Sequence, residues 1–533
     1  MSLIVFEDEH LLVVNKPAGL NTHSSSPFAG EGIYEWLKNR KPRWAKLAIL
    51  HRLDKETSGL IVFGKTALAN RSLTAQFTER KVSKKYLALT GGKVLFEKLA
   101  VESVLVRVGE KYVSRPIHSG RERAETRFRK LKTNSPGNFL LEVEPVTGKT
   151  HQIRVHAAAN GFPILGDTLY GGTPAARVFL HAAEISFEHP ATGKRMTFAA
   201  PENFSEDSRL ALRAALVDPQ ATHAYRLIHG VTDGWPGWYV DRLGDFLLSQ
   251  SEQLLTARER ETLEQLLRKF SLRGAYHKIL KRRVRQLASK DVSPRLVVGE
   301  AAPDEFVVRE NDHQFALSFN EGYSVGLFLD QRENRRRLQT HYIAPDFFLG
   351  GSAGESSRLA LEVLNAFSYT CGFSVCAAKA GATVTSLDLS KKYLDWGKRN
   401  FVLSQLDPAR HEFIFGDAFD WMKRLGKKNR QFDVIILDPP TFSNSKEQGT
   451  FRAERDYGKL IQTALPLLKS GGVLLASTNA ASLEPESFME TINVSVKSMK
   501  RKIIQQHYVP QPADFPISRE EPAYLKTVWL KIL

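Results

Sequence analysis

The segment HRLDKETSGL, residues 51–60, places Asp54 in a polar turn directly before an apolar run. A basic pair precedes the carboxylate, and the hydrophobic residues after it indicate a loop that enters a buried strand. An isolated aspartate in such a loop is most often a turn residue that hydrogen-bonds its own backbone. A chemical role for Asp54 therefore requires partners elsewhere in the chain.

Two later segments carry side chains that suit a reactive carboxylate. FTERKVSKKYLAL places Tyr86 after a run of lysines and arginines, and GKTHQIRVHAA carries Arg154. An attacking carboxylate must be ionised and oriented, and a guanidinium supplies both through a bidentate pair. A tyrosine nearby can stack on a base or transfer a proton.

These segments, together with VVNKPAGL, PILGDTLYG and LHAAEISFEHPATG, resemble the RluA-type pseudouridine synthases over residues 1–200. The resemblance implies that Asp54 is the nucleophile that detaches uracil from its sugar, by attack on the ribose or on the base. Arg52 would then hold a uridine flipped out of the helix, and Tyr86 would pack against the base and assist proton transfer. Arg154 would pair with Asp54. No cofactor is required, and the nearby histidines lack a second ligand at zinc spacing, so no metal is expected.

The second half of the chain places polar groups at the carboxyl ends of predicted parallel strands, where a doubly wound sheet binds its ligand. A loop follows the first strand, Asp388 ends the second and Asp417 ends the third. The acid after the second strand suits the two hydroxyls of a ribose, and the acid after the third suits an adenine edge. The loop lacks GxGxxG, which disfavours a dinucleotide and favours S-adenosylmethionine. The predicted cofactor-binding residues are Asn365, Phe367, Ser368, Tyr369, Thr370, Gly372, Asp388, Asp417 and Asp438. As an alternative, each aspartate could cap a helix.

The fourth of these strands ends in the segment FDVIILDPPTFSNSK. Asp438, the two prolines and Phe442 resemble the D/N-P-P-aromatic motif of class I methyltransferases that act on amino groups or ring nitrogens. With GYSVGLFLDQRENRR and NAFSYTCGF, the likeness is to bacterial large-subunit ribosomal RNA methyltransferases over residues 222–533. It implies that Asp438 faces the methyl acceptor, that Phe442 stacks on a base and that Arg332 lies near the cofactor or RNA. Relatives usually have glycine where this chain has Cys371.

The methylated atom is predicted from where cysteine does not occur. Methylating carbon 5 of a pyrimidine needs a thiolate, and neither DPPTFSNSK nor LLASTNAAS contains a cysteine. The two cysteines, Cys371 and Cys376, are predicted to be packing residues. DPPTFSNSK most resembles the guanine-N7 methyltransferases of this group, with 5-methylcytosine as the alternative product.

The charge of the chain predicts its partner class. The formal net charge is +17 and the sequence pI about 9.6, and a surplus of Lys and Arg favours a polyphosphate partner. Two basic clusters, residues 277–290 and the arginines of DQRENRRRLQ, strengthen the prediction of RNA, with ribosomal RNA favoured over transfer RNA. No apolar run reaches the ~18 residues of a membrane helix, and the start MSLIVFEDEH is not a signal peptide. Two cysteines in 533 residues fit a reducing cytoplasm.

The distribution of elements predicts a multidomain protein. Residues 1–204 read as a sheet-dominated α+β synthase domain with a mixed, largely antiparallel sheet, and residues 205–220 as a helical linker. Residues 221–344 read as a small α+β middle domain that binds RNA or assists methyl transfer. Residues 345–533 alternate strand and helix, which predicts an α/β Rossmann-like methyltransferase domain.

The sequence leaves three functions open. The main prediction is an enzyme that isomerises uridine with its first part and methylates a base with its last. A second is a ribosome-assembly protein that binds RNA through its basic surface and whose catalytic sites are inactive. A third keeps the methyltransferase but gives it a protein or metabolite acceptor.

Overall fold

The computed structural model describes residues 3–117, 122–135, 137–201, 204–280, 293–322, 324–350, 360–445 and 449–533. The chain folds into two compact units. The first unit contains Met1–Ser24, Gly32–Lys38 and Lys46–Leu216. The second unit contains Ser25–Glu31, Asn39–Ala45 and Val217–Leu533. Among the described helices, none has the length and apolar character needed to cross a membrane.

The first unit consists of eleven strands and four α-helices within its described residues. The strands are β1 Ile4–Glu7, β2 Leu11–Lys16, β3 Ala48–Ile49, β4 Ser58–Gly64, β5 Ser83–Thr90, β6 Lys98–Val108, β7 Lys111–Arg115, β8 Ala124–Ser135, β9 Asn138–Pro145, β10 Leu180–Glu188 and β11 Arg195–Ala199. The helices are α1 Ile33–Lys38, α2 Ala67–Thr78, α3 Gln152–Ala159 and α4 Ser208–Leu216.

One sheet joins all eleven strands in the order β1-β2-β4-β10-β5-β9-β8-β6-β7, with β3 on β4 and β11 on β10. Its pairs are antiparallel except β4 with β10, which run parallel. The mixed, largely antiparallel sheet predicted for the first domain is therefore confirmed.

Strand β4, SGLIVFG, is buried along its whole length between β2 and β10. Its apolar side chains share one core cluster with those of α2, and the Thr66 side chain caps that helix by accepting from the Ala69 N–H. The turn that carries Asp54 therefore runs into a strand that is buried at every position. Helix α3, which carries Arg154, follows β9 after a short loop.

The second unit contains eighteen strands and seven α-helices within its described residues. The strands are β12 Ala224–His229, β13 Tyr239–Leu243, β14 Phe246–Ser251, β15 Gly274–Ile279, β16 Arg295–Gly299, β17 Phe306–Glu310, β18 His313–Leu317, β19 Tyr342–Ala344, β20 Phe347–Phe348, β21 Glu362–Ala366, β22 Thr383–Asp388, β23 Glu412–Phe415, β24 Phe432–Leu437, β25 Phe442–Ser445, β26 Gly449–Arg452, β27 Leu468–Thr478, β28 Ile503–Val509 and β29 Lys526–Ile532. The helices are α5 Ala257–Phe270, α6 Arg332–Thr340, α7 Gly372–Lys379, α8 Lys391–Leu403, α9 Ala418–Lys427, α10 Ala453–Ala464 and α11 Pro485–Ser498.

A seven-stranded sheet forms the centre of the second unit, in the order β23-β22-β21-β24-β27-β29-β28. The first five strands are parallel, and β29 runs antiparallel to both of its neighbours. Strand order reverses between β21 and β24, so the ends of these strands open a crevice at a topological switch point. The predicted Rossmann-like fold is confirmed.

The division of the chain differs from the predicted boundaries in two places. Residues 221–344 and 345–533, predicted as separate domains, share one hydrophobic core that runs from Ala224 to Trp529. The predicted linker at 205–220 contains α4, whose residues belong to the first unit. Residues 221–344 and 345–533 share a core because strands β17 and β18 pack against helix α8, which follows strand β22 of the parallel sheet.

Helix α6, predicted to add a basic surface for RNA, is instead buried. Arg332 forms a bidentate pair with Asp514 at 2.9 and 2.5 Å, and Arg335 forms another with Glu310 at 2.6 and 2.8 Å. Buried arginines of this kind neutralise buried acids and leave no charge for a polyanion. The buried set is Arg332, Arg335, Arg336 and Arg337. The prediction that this cluster contacts RNA is wrong, and the other cluster, 277–290, lies largely outside the described residues.

Candidate active sites

All four residues predicted for the first site line one cavity of about 840 Å³ in the first unit. The turn before β4 supplies Arg52 and Asp54, β5 supplies Tyr86 and α3 supplies Arg154. The Asp54 side chain is 27% exposed and Arg52 is exposed. The fold therefore brings together groups that are 100 residues apart in sequence.

Arg154 lies among three carboxylates, those of Asp54, Asp167 and, at 3.6 Å from its Nη1, Glu56. Its Nη1 donates to Asp54 Oδ2 at 3.2 Å, while its Nε and Nη2 donate to the two oxygens of Asp167 at 2.7 and 2.8 Å. The bidentate pair predicted for Asp54 is thus formed with Asp167. The Nε edge of the guanidinium faces Asp167 and not the loop that carries Asp54. Burial opposes the charge, but Asp167 and Asp54 raise the pKa of Arg154 above its ordinary value.

Tyr86 and His151 form the walls next to Asp54. Tyr86 is buried, and burial together with the Asp54 charge raises the pKa of its phenol, which stays protonated at neutral pH. His151 Nε2 lies 3.8 Å from Asp54 Oδ2, and its Nδ1 lies 2.8 Å from the Tyr170 hydroxyl. Burial lowers the pKa of His151. A neutral imidazole therefore faces the carboxylate.

Lys16, which is fully buried, holds the backbone of the turn that carries Asp54. Its Nζ donates to the carbonyls of Pro17, Leu20 and Lys55 at 2.9, 2.7 and 3.4 Å. Burial lowers the pKa of Lys16 to about 7. The lysine of the VVNKPAGL segment therefore joins strand β2 to the backbone next to Asp54.

Two further histidines of the first unit, His51 and His156, are held by hydrogen bonds. His51 Nε2 accepts from the Val62 N–H at 3.0 Å, and burial lowers its pKa to about 3. His156 lies between the hydroxyls of Ser103 and Thr126 at 3.0 and 2.8 Å. Within the residues that the structure describes, no three His, Cys, Asp or Glu side chains are grouped as metal ligands.

A second cavity, of about 470 Å³, opens at the carboxyl ends of the parallel strands in the second unit. It takes its walls from the loop after β21, from the ends of β22 and β24, and from the turn before α9. Eight of the nine predicted cofactor-binding residues line it, namely Phe367, Ser368, Tyr369, Thr370, Gly372, Asp388, Asp417 and Asp438.

The loop after β21 adopts a left-handed backbone at Phe367, Tyr369 and Cys371, with φ of 62°, 49° and 63°. This conformation favours glycine, which gives a physical reason for the glycine that relatives have where this chain has Cys371. The Cys371 side chain occupies space left by Gly397 of α8, where an added Cβ would overlap Sγ. Burial raises the pKa of the Cys371 thiol to about 12.

The two aspartates at the ends of β22 and β23 hold the loops of this cavity. Asp388 accepts from the backbone N–H groups of Tyr369 and Ser390, both at 2.8 Å, and burial raises its pKa. Asp417 caps α9 by accepting from the Asp420 N–H at 3.1 Å. The capping alternative therefore describes Asp417, whose side chain also lines the cavity.

The residues of this cavity fit S-adenosylmethionine. Asp388 stands at the end of the second strand, where its carboxylate can accept from ribose hydroxyls. The rings of Phe328 and Tyr369, with centroids 5.3 Å apart, offer apolar faces to an adenine. The lining carries carboxylates where a pyrophosphate would need donors, which disfavours a dinucleotide.

Asp438 stands at the opposite wall, at the end of β24. Its Oδ2 accepts from Gln331 Nε2 at 3.1 Å, and the same amide nitrogen donates to Ser477 Oγ at 2.8 Å. The amide oxygen of Gln331 accepts from Asn334 Nδ2 at 2.7 Å. Burial raises the pKa of Asp438 to about 6. The carboxylate is thus ionised at neutral pH and held by a fixed donor.

Three predicted residues do not line the second cavity. Asn365 lies beneath the loop and donates to Ser374 Oγ at 2.9 Å. Arg332 is buried against Asp514. Phe442 is half-buried at the start of β25, and among the described residues it is its neighbours on either side that reach the cavity. Asn365, Arg332 and Phe442 therefore lie outside the lining of this cavity, and the cofactor and substrate roles expected for them stay predictions.

Sequence reasoning missed several groups in these sites. Asp167 lies in the segment PILGDTLYG. The acidic residue between glycine and threonine is the sequence feature that could have indicated it. Ser477 lies near the end of β27 and binds Gln331, and Asn479 directly follows that strand and lines the second cavity. Their position at the carboxyl end of the fifth parallel strand is the feature that could have indicated them. Thr441 donates to Asn479 Oδ1 at 2.6 Å at the mouth of the second cavity.

Two family matches cover most of the chain. Residues 10–159 match the RNA pseudouridylate synthase family. Residues 226–529, more than half of the chain, match the S-adenosylmethionine-dependent methyltransferase family.

Several known proteins are similar to one part of the chain or the other. A ribosomal RNA large subunit methyltransferase of Deinococcus radiodurans is 34% identical over 341 residues, which are 61% of this chain and 78% of that protein. A ribosomal large subunit pseudouridine synthase C of Yersinia pestis is 40% identical over 224 residues, 39% of this chain and 69% of that protein. Among solved structures, the methyltransferase SMU.776 complexed with SAH covers 61% of this chain and 79% of its own, with 31% identity and a TM-score of 0.51.

Proposed function

Because the chain belongs to the S-adenosylmethionine-dependent methyltransferases and, in its first part, to the RNA pseudouridylate synthases, we propose that it modifies large-subunit ribosomal RNA twice in the cytoplasm. It is an enzyme with both activities, and S-adenosylmethionine is its cofactor. The first unit isomerises uridine to pseudouridine. The second unit methylates a base, which we assign as guanine at N7.

The uridine reaction rests on the hydrogen bond from Arg154 to Asp54 in the first cavity. The guanidinium holds the Asp54 carboxylate in one orientation at the cavity, so that Asp54 can act as the nucleophile. Tyr86 presents a protonated phenol and a ring face to the base, and Arg52 stands exposed where a flipped nucleotide would enter.

The methyl acceptor is inferred from the groups at the mouth of the second cavity. S-adenosylmethionine supplies an electrophilic methyl group when bound. Thr441 fixes the oxygen of the Asn479 amide, so the amide N–H groups point away from it and can donate to guanine O6. Guanine gains positive charge when N7 is methylated, and the ionised carboxylate of Asp438 stabilises that charge. Both cysteines lie outside the cavity lining, which disfavours a 5-methylcytosine product.

Mass mapping of nucleosides tests both assignments. Ribosomal RNA transcripts are treated with the wild-type chain, with Asp54→Ala and with Asp438→Ala. We expect Asp54→Ala to lose one pseudouridine and keep a 7-methylguanosine, and Asp438→Ala to show the reverse. A methyl group on cytosine or on a guanine atom other than N7 would overturn the assignment of the acceptor. Wild-type protein that binds the transcript and changes no nucleoside would favour the assembly-factor alternative.

A further inference from the structure

Lys84 is a cation in the synthase cavity that the mechanism above does not use. It lies two residues before Tyr86 on β5, and residues i and i+2 of a strand face the same side. Both side chains line the cavity, whereas Lys85 between them points to the other face and pairs with Glu184 at 2.8 Å. The strand thus carries a lysine and the base-facing tyrosine side by side.

The surroundings of the Lys84 ammonium are poor in negative charge. Its Nζ lies 5.9 Å from the centroid of the Phe77 ring, and a Cβ at Gly148 would come within 3.7 Å of it. In the described part of the chain, Lys84 takes part in no hydrogen bond and no ion pair. Burial lowers its pKa, and the Lys84 charge in turn helps to lower that of His51. A partly buried ammonium without an acceptor is costly unless a ligand supplies one.

We infer that Lys84 is a further catalytic residue of the synthase, which donates a hydrogen bond to a carbonyl oxygen of the target uracil. This inference rests on the proposed isomerisation at Asp54. Four other cations that line the cavity, Arg52, Lys55, Arg80 and Arg123, are exposed and suit phosphates. Lys84 lies deeper, on the face that presents Tyr86, where the base itself would stand.

The chemistry of the reaction gives this hydrogen bond its use. The bond from ribose C1′ to uracil N1 breaks and its electron pair passes to uracil. A bond from C1′ to C5 then forms, the proton leaves C5, and N1 ends protonated, so the change is an isomerisation without a co-reactant. Whether Asp54 attacks the ribose or the base, negative charge develops on the uracil oxygens. A fixed ammonium there stabilises that charge as an oxyanion hole does.

Three matched substitutions to methionine test the inference in single-turnover pseudouridine formation, with RNA affinity and its salt dependence measured in parallel. Lys84→Met is expected to lower the rate at saturating RNA about 100-fold, as loss of one such donor does, with RNA affinity within about twofold of wild type. Lys85→Met should leave rate and affinity unchanged. Lys149→Met, which removes a cavity cation paired with Glu122, should weaken RNA binding and flatten its salt dependence.

Two outcomes would overturn the inference. Lys84→Met could keep the full rate at saturating RNA, or it could behave as Lys149→Met does and thereby report a phosphate contact. Lys84→Gln, which keeps a polar chain and removes the charge, is measured as well and should lose at least tenfold in rate, so a poorly folded methionine variant does not decide the result. Asp54→Ala separates the two claims: if it abolishes the reaction and neither Lys84 variant slows it, only the Lys84 inference fails.

Discussion

At the scale of single residues, the buried guanidinium of Arg154 binds a buried acid through two of its nitrogens and a partly exposed acid through the third. Two of its nitrogens bind Asp167, whose side chain is 1% exposed, and a third reaches the partly exposed Asp54. The bidentate contact fixes the plane of the guanidinium, so the remaining nitrogen points at Asp54. Asp167 therefore orients Arg154, and Arg154 orients Asp54.

Asp167→Asn tests that order. Neutralising Asp167 removes the bidentate partner of a buried guanidinium and leaves it with Asp54 and Glu56, and we expect the free energy of unfolding to fall by about 3 kcal/mol. The rate of pseudouridine formation should fall by about 10-fold to 100-fold, because Arg154 no longer holds Asp54 in one orientation. Urea denaturation and single-turnover kinetics measure the two effects. Glu142→Gln is the control: its partner Arg129 is 51% exposed, so the loss there should stay below about 1 kcal/mol.

Cys371 and Gly397 offer a second test at this scale. An added Cβ at position 397 overlaps the Cys371 sulfur, so Gly397→Ala should cost about 1–3 kcal/mol of stability through overpacking. Cys371→Gly removes the sulfur and relieves a left-handed non-glycine backbone. The double variant should recover most of the loss, with a coupling free energy above about 1 kcal/mol in urea denaturation. Additive effects would show that the two positions do not share this space.

At the scale of elements, α6 and the turn before it hold the Asp438 side chain of the methyltransferase cavity in place through a series of hydrogen bonds. Trp529 of β29 donates to Asn334 Oδ1 at 2.9 Å, Asn334 donates to Gln331, and Gln331 donates to Asp438. Each amide in this chain is oriented by the one before it. The Asp438 carboxylate therefore receives its hydrogen bond from an element whose own position is fixed by the core.

The pH dependence of methyl transfer should show that Gln331 stabilises the ionised form of Asp438. Burial raises the pKa of Asp438 to about 6, so the ionised fraction and the rate should fall as the pH falls below about 6. Gln331→Met removes a hydrogen bond to the charged form, which raises the pKa further. The acid limb of the rate profile should then move to higher pH, while binding of S-adenosylhomocysteine, measured by calorimetry, stays within a few-fold. Gln339→Met, in helix α6 that follows Gln331, should leave the profile in place, and a profile unchanged in both variants would contradict the role of Gln331.

Sequence reasoning succeeded for elements whose pattern is local. The strand and helix alternation after residue 360 and the buried run of β4 predicted the right folds, and strand ends predicted the aspartates of the second cavity. It failed for α6, because RENRRRLQT has the composition of an exposed basic helix and the acids that bury it, such as Glu310 and Asp514, lie far away in sequence. The same distance hid Asp167 as the bidentate partner of Arg154. Pairings across the chain are set by topology, which periodicity does not encode.

At the scale of the whole molecule, the boundary between the two activities does not fall at one point in the sequence. The second unit includes Ser25–Glu31 and Asn39–Ala45, which come from within the stretch that matches the synthase family. Arg40 binds Glu333 of α6 at 2.6 Å, and Glu31 lies 3.5 Å from Arg337. Two partly buried ion pairs of the second unit therefore have one partner among the first fifty residues of the chain.

Arg40→Met should destabilise the second unit in the full-length chain. Burial works against the charge of Glu333, but Arg40 and Arg336 outweigh it and hold the pKa of Glu333 below its ordinary value of 4.5. Stability from such a lowered pKa is fully present above that ordinary value and is lost as the pH falls through the folded-state value. Removing Arg40 should therefore cost about 3 kcal/mol at pH 7, and the difference from wild type should shrink in acid.

Urea denaturation at pH 7 and at pH 3 measures that difference. Arg43→Met is the control, since Arg43 lies in the same segment with an exposed side chain, and it should change stability by less than about 0.5 kcal/mol. A chain that starts at Val217 lacks Arg40 and Glu31 together and should unfold at lower urea than the second unit of the intact protein. If that shortened chain were as stable as the second unit of the intact protein, Ser25–Glu31 and Asn39–Ala45 would not stabilise the second unit. A cut at the predicted linker would then separate the two activities without loss of stability.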